Sequence, residues 1–357
     1  MKLWTWIRSN FVTAVAATET YDYIIVGGGT AGGALATRLS LGLPKSKILL
    51  LEAGPEALDD VSIAQPGLNG RSISVNRGKV LGGSSAINFL CYGRAASAEY
   101  DAWSELGSPG WNWDTMINGM TKSENFTGND GDVHGRSGPI SSTYNRIVPD
   151  VLKPWQSTVN KLGVPINDGG SLGGKPVGVM FQPTNIDVGA RGYPGNSPNF
   201  ITIFSSIMHP MSRGSVHMNG QDVKGKPIID LNYLNNEYDI QALIEGARFA
   251  RKVAETEPLR SVWAAEYEPG LVKRTYAQLR DWVVRTVNSF YHPAGTCAML
   301  PKKDGGVADS NLKVYGTKIL RVVDASIIPV QLSAHIQTAV YGIAETAAQK
   351  IIAAENK

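Results

Sequence analysis

The stretch Asp22-Tyr-Ile-Ile-Val-Gly-Gly-Gly-Thr-Ala-Gly32, followed by Leu49-Leu-Leu-Glu52, constrains the fold more than any other part of the chain. Tyr23 to Val26 is a short apolar run rich in β-branched residues, the pattern of a buried strand. Gly27, Gly29 and Gly32 form G-x-G-x-x-G, and the residues after them carry apolar groups at helical spacing. Ile48 to Leu51 reads as a second strand, closed by Glu52, 20 residues after Gly32. The first glycine permits a tight strand-to-helix turn, the second lets a pyrophosphate approach the backbone, and the third lets helix and strand pack closely. The helix start offers free N–H groups and the positive end of its dipole to the phosphates. Glu52 is placed to accept from a ribose diol. Strand, helix and carboxylate at these spacings predict a dinucleotide site holding Gly27, Gly29, Thr30, Ala31, Gly32 and Glu52.

With 357 residues the chain is long for one average domain. Strand and helix signals at both ends enclose a different middle, which predicts a discontinuous nucleotide domain with a second module inserted. Its expected limits are 21–140 and 290–357, with a substrate domain over 141–289 and an N-terminal arm over 1–20. The fold class is α/β: a mostly parallel Rossmann-like sheet plus an inserted α+β module on an antiparallel sheet. Expected strands lie near Gly138 to Ser142, Gly178 to Pro183, Ser215 to Met218, Ile228 to Leu231 and Ile319 to Val323. Expected helices run over 239–254, 276–288 and 338–353, with a short helix and aromatic turn within Tyr100 to Met116.

A net charge of +3, with its basic residues scattered, points away from nucleic acid. No apolar run reaches membrane-spanning length. Cys91 and Cys297 lack C-x-x-C spacing, and no His, Cys and carboxylate cluster has metal-ligand spacing. Arg8 and Asn10 interrupt the apolar residues of the first 20, so a secretory leader and a simple arm both remain open readings. One sequon is present, Asn125-Phe126-Thr127.

Of five histidines, His134, His209 and His217 have no partner pattern and read as structural. His292, in Tyr291-His-Pro-Ala-Gly-Thr296, and His335, in Ser333-Ala-His-Ile-Gln-Thr338, sit in small-residue turns beside predicted helices. Imidazole titrates near neutrality and can take a hydroxyl proton, so both are candidate acid–base groups.

In combination these segments resemble the glucose–methanol–choline (GMC) oxidoreductases, FAD flavoproteins. The resemblance rests on the glycine fingerprint with Glu52 and the loop Gly78-Lys-Val-Leu-Gly-Gly-Ser-Ser-Ala-Ile-Asn88. Tyr92-Gly-Arg94, Trp111-Asn-Trp113, Met211-Ser-Arg-Gly-Ser-Val216, His292-Pro-Ala-Gly-Thr296, Arg321-Val-Val-Asp-Ala-Ser326 and His335 also match. Proline after His292 is most like the aryl-alcohol and hydroxymethylfurfural branches. The resemblance implies FAD as cofactor, with Val80, Gly82, Ser84 and Asn88 on the isoalloxazine side. It implies Asp324 and Ala325 at the diphosphate or ribityl chain, and Gln337 and Thr338 facing the flavin pyrimidine. It further implies oxidation of a small primary or benzylic alcohol, with His292 taking the alcohol proton and His335 orienting the alcoholate. The electron acceptor would be O2 or a quinone-like molecule. Two rivals stay open: a non-redox lyase or cyclase on the same scaffold, and an inactive member that binds FAD poorly.

The chain departs from the family in length. After Asn185-Ile-Asp-Val-Gly-Ala-Arg191, family members carry a long block that completes the sheet and contacts adenine. Here Tyr193-Pro-Gly-Asn-Ser-Pro198 runs directly into Phe200-Ile-Thr-Ile-Phe204. A parallel sheet needs its strands paired and both faces covered, so exposed strand surface and a partly open adenine side are expected.

Overall fold

The computed structural model describes residues 19–54, 62–64, 68–128, 133–143, 150–167, 173–174, 201–220 and 225–356. The N-terminal arm up to residue 18 and the strand expected at Gly178 to Pro183 lie outside the described residues.

The βαβ unit forms where the sequence puts it. Strand β1 (Tyr23–Val26) leads through the glycine turn into helix α1 (Thr30–Gly42), and β2 (Ile48–Leu51) pairs with β1 in parallel, Tyr23 beside Ile48 and Val26 beside Leu51. Among the described residues this parallel sheet has two strands. One face of β1 is covered, since Ile25 packs into the core with Leu35 and Leu39 of α1. The other face is open: Ile24 is 58% exposed and Val26 80%. At about 25 cal/mol per Å2 of apolar surface, such exposure forgoes stabilisation that a flanking layer would provide.

The expected strand over Ile319 to Val323 is absent. Ile319 and Leu320 are exposed, and the segment makes an isolated antiparallel bridge between Lys313 and Arg321. A strand is defined by its neighbour, and no strand among the described residues lies beside this segment to supply ladder partners.

The nucleotide module is held together by helices. α2 (Ser97–Glu105) and α3 (Trp113–Ser123) bracket the aromatic turn, and α7 (Gln337–Glu355) packs against both α1 and α3. α7 is buried on all sides from Thr338 to Ala348, as an interior helix segment of largely apolar residues can be, and its last turn is exposed. It crosses α3 closely at a glycine pair. A Cβ on Gly119 would stand 2.6 Å from the Gly342 carbonyl oxygen, and one on Gly342 would stand 2.8 Å from Met120 Cγ. Buried Glu345 of α7 accepts from Arg38 Nε of α1 through both oxygens, at 2.7 and 2.8 Å. Trp103, Trp111, Met116, Leu332, Ile343 and Ile351 complete this core. His134 is buried here, bonded through Nδ1 to Glu124, which also accepts from Arg94.

A second core forms around α5 (Glu237–Ala254) and α6 (Tyr276–Thr286). Asn236 caps α5, and Thr275 with Gln278 makes a reciprocal capping box on α6, which fixes both starts. Val159 of α4 (Trp155–Lys161) clusters with Val253 of α5, while Ile240, Ile244, Leu279 and Val283 meet between α5 and α6. Leu68, Ile73 and Val75 join them, so a stretch assigned by sequence to the nucleotide domain packs in the second core. Among the described residues the antiparallel pairing in this half is β7 (Ser215–His217) with β8 (Ile228–Asp230), and the ladder of β3 (Ser62–Ala64) with β4 (Ser72–Ser74), which brings Ile73 to the second core, is antiparallel too. The remaining described strands, β5 (Glu124–Phe126) and β6 (Ile140–Ser142), also pair. No helix among the described residues is long and apolar enough to cross a membrane.

Candidate active site

Between the two cores lies an open cavity of about 4480 Å3. Small-molecule sites are commonly about 300–1,000 Å3, so this volume exceeds what one ligand fills. One wall is the glycine turn: Gly27, Gly29, Thr30, Ala31, Gly32 and Glu52 all line it. Gly27 has φ +97°, a conformation that favours glycine. A Cβ on Gly32 would lie 1.9 Å from the Gly27 carbonyl oxygen, so turn and helix pack only without a side chain there. Above Gly29 the space is open: a Cβ placed there would meet only Gly83 Cα within 4 Å, at 3.7 Å. α1 starts with no side-chain cap and no acidic residue in its first turn, leaving its N-terminus available to an anion. Glu52 accepts from the Gly28 and Gly54 N–H groups at 2.7 and 2.9 Å, which fixes its carboxylate at the turn. These features fit the pyrophosphate and ribose of a dinucleotide.

The loop from Gly78 to Asn88 folds onto this turn. Gly82 N–H donates to the Gly28 carbonyl at 2.8 Å, and the Thr30 and Ser85 hydroxyls bond to each other. Ser84 and Asn88 line the cavity, and Asn88 Nδ2 donates to Gln337 Oε1 at 2.8 Å. That bond ties the loop to the first turn of α7. Asp324 and Ala325 also reach the wall, from a 3-10 turn capped by Asp324 rather than from a strand end. Three expected contacts fall elsewhere. Val80 and Gly82 are not on the cavity wall: Gly82 is turned to bond the glycine turn, and the Val80 carbonyl accepts from the Gly83 N–H within the loop. The Thr338 side chain is fully buried in the helix core with its hydroxyl unpaired, so toward a ligand it has only its backbone to offer.

The two histidines line the same cavity and meet there. His292 Nε2 and His335 Nδ1 are 2.8 Å apart, with the rings nearly perpendicular at 84°. A single proton occupies such a bond, so one ring donates and the other accepts. Phe290 lies against both rings, with centroids 5.5 and 5.2 Å away. Burial is the main cause that lowers the His292 pKa to about 4, helped by the neighbouring His335 and by Arg77, against a bond to the Tyr291 backbone. Burial lowers His335 as well. Both rings are therefore neutral at pH 7 and able to accept a proton. Phe290 and Arg77 complete the surroundings of the pair; neither carries a motif that singles it out, beyond Arg77 opening the glycine-rich loop. His209 is half-exposed, 3.4 Å from Glu99, and exposed His217 lies on β7. Among the described residues no cluster of His, Cys, Asp and Glu could hold a metal.

Two family models, both described as GMC oxidoreductase, match residues 21–191 and 210–344. A GMC oxidoreductase family protein of Malassezia sympodialis, Mala s 12, is 24% identical over 573 positions, covering 94% of this chain and 93% of the relative. That alignment has 216 more positions than the chain has residues, so the relative carries long stretches without counterpart here. An FAD-dependent oxidoreductase from Chaetomium thermophilum has a similar fold, with TM-score 0.82 at 20% identity, covering 94% of this chain and all of the other. A fungal aryl-alcohol oxidase superposes with TM-score 0.74 at 19% identity, covering 94% and 99%.

Proposed function

The chain belongs to the GMC oxidoreductase family, FAD-dependent oxidoreductases, and from that premise we propose that it oxidises a primary or benzylic alcohol to the aldehyde, with the His292–His335 pair as proton acceptor. The observation that carries this reading is the 2.8 Å bond joining the two imidazoles on the wall of the cavity that the glycine turn also lines. Bound FAD supplies the two-electron acceptor for hydride. Gly29, Thr30, Ala31 and Gly32 would hold the pyrophosphate, Glu52 the ribose, and Asn88 with Gln337 the ring side.

The protein's own part is proton management. An alcohol hydroxyl loses its proton to an imidazole nitrogen as the C–H hydride departs, leaving the carbonyl product and an imidazolium. In this reading His292 takes the proton, and His335 shares it through the bridge and orients the oxygen. A second positive charge beside the first is disfavoured at this distance, so the pair takes up one proton per turnover. Phe290 presents an apolar surface that suits an aromatic or alkyl substituent. The aryl-alcohol oxidase among the structural relatives agrees with that class of substrate.

The test is His292→Ala. General-base removal costs about 10²- to 10⁴-fold, so the flavin-reduction rate at saturating alcohol falls by that range while flavin content is kept. Near-normal reduction by the variant refutes the role. A second reading draws on the large open cavity and the 80% exposure of Val26: a family member that holds FAD weakly. Purified protein without a flavin absorbance band, and without one after incubation with FAD, favours it.

A further inference from the structure

His335 sits in a stretch without regular structure, Ser333 to Ile336, just before α7. Such a stretch does not hold a ring to within a few tenths of an ångström by itself. Leu332 and Ile336 anchor it on the apolar side, being 0% and 8% exposed. On its polar side, both donors of Ser333 end on one carboxylate. Ser333 N–H donates to Glu99 Oε2 at 2.7 Å, and the Ser333 hydroxyl donates to Glu99 Oε1. Glu99 belongs to the first turn of α2, where a negative charge suits the helix dipole. Its helix is rooted in the core by Tyr100 and Trp103, both essentially inaccessible. A rigid element therefore grips, through two charge-assisted bonds, a residue two positions before His335.

We propose that Glu99 is a positioning residue for the reaction: by holding both donors of Ser333 it fixes the His335 ring where it bridges to His292. The proposal rests on the reading of that pair as the proton acceptor. Without the carboxylate, the Ser333 backbone N–H and hydroxyl lose their acceptors, the turn relaxes, and the imidazole bridge loses its geometry. Glu99 bonds Ser333 and, at 3.4 Å, the His209 ring, but neither imidazole of the pair, so its effect on the bridge is transmitted through the backbone from Ser333 to His335.

The experiment compares wild type, Glu99→Gln, Ser333→Ala and the double variant. Glu99→Gln keeps size and one acceptor oxygen but presents an amide N–H to a donor. The first readout needs no turnover: nitrogen-15 NMR of the histidine rings, in which the wild-type bridge gives a slowly exchanging imidazole proton. Glu99→Gln is expected to lose that proton signal while the amide spectrum of the rest of the protein is unchanged. The second readout is flavin reduction by benzyl alcohol in FAD-loaded protein. A 10- to 100-fold drop in the limiting rate is expected, with little change in the alcohol concentration at half-saturation. Ser333→Ala gives a smaller drop, and the double variant is no slower than Glu99→Gln, because both changes remove one grip. A bridge proton that survives in Glu99→Gln, or rate losses that multiply in the double variant, overturns the proposal. If wild type reduces no flavin, the alcohol-oxidation reading fails, and the NMR comparison still decides the role of Glu99 in holding the bridge. Should Glu99→Gln fail to fold, Ser333→Ala carries a narrower test, since it removes the hydroxyl bond and leaves the N–H bond: a bridge proton that exchanges no faster there than in wild type overturns the proposal.

Discussion

Acidification, compared between wild type and a His292 variant, tests the burial of the His292 imidazole. His292 has its pKa lowered from 6.5 to about 4 in the folded chain, with burial as the first cause. The unfolded chain binds the proton more readily, so between these two values it holds more protons than the native state. Stability therefore rises with pH across this window: the contribution is undisturbed above about pH 6.5 and is progressively lost as pH falls toward 4. At 1.36 kcal/mol per pKa unit the full shift amounts to about 3 kcal/mol, and by pH 4.5 most of it, about 2.5 kcal/mol, is gone. The assay is urea denaturation of wild type and His292→Gln at pH 7.0 and pH 4.5, monitored by tryptophan fluorescence. Carboxylates titrate in both proteins and cancel in the difference. The variant is expected to lose about 2 kcal/mol less than wild type on acidification. Equal losses in the two proteins refute the claim that the imidazole is buried in its neutral form.

Three further outcomes follow from the packing. Gly119→Ala sets a methyl against the Gly342 carbonyl, which as backbone has little room to yield; overpacking of about 1–3 kcal/mol outweighs the roughly 1 kcal/mol gain in helix propensity, and the urea midpoint falls. Arg38→Met leaves the buried Glu345 carboxylate without the Nε–H that its two oxygens share, and thermal unfolding is expected to report a loss of about 1–3 kcal/mol, largest at neutral pH. Gly32→Ala drives its methyl into the Gly27 carbonyl, so the glycine turn opens and flavin retained through gel filtration drops at least tenfold, while α5 and α6 keep their helical signal.

Much of the site was legible because its parts are local. The turn at Gly27 to Gly32, the strands beside it and Glu52 follow from spacing alone, and the helices at 237–254, 276–286 and 337–355 follow from period and caps. The histidines carried a motif signal, but their direct bond did not. It depends on how the turn at Tyr291 and the turn at Ser333 approach one another across 43 residues of chain. The strand expected at Ile319 to Val323 shows the limit from the other side. Its residues have strand composition, but composition cannot supply the neighbour that a ladder requires. The family resemblance implies that Thr338 faces the flavin pyrimidine; its side chain is fully buried, with its hydroxyl unpaired. Glu99 looks in sequence like an ordinary first-turn helix acid, and only the fold brings Ser333 onto it.

The central claim is that glycine turn and imidazole pair serve one flavin, and anaerobic spectroscopy addresses it directly. Protein incubated with FAD and freed of excess is mixed with benzyl alcohol under argon while the visible flavin band is followed. The account predicts that the band bleaches in wild type and persists in His292→Ala. A wild-type band that stays oxidised with benzyl alcohol, or bleaching that is as fast without His292, contradicts it.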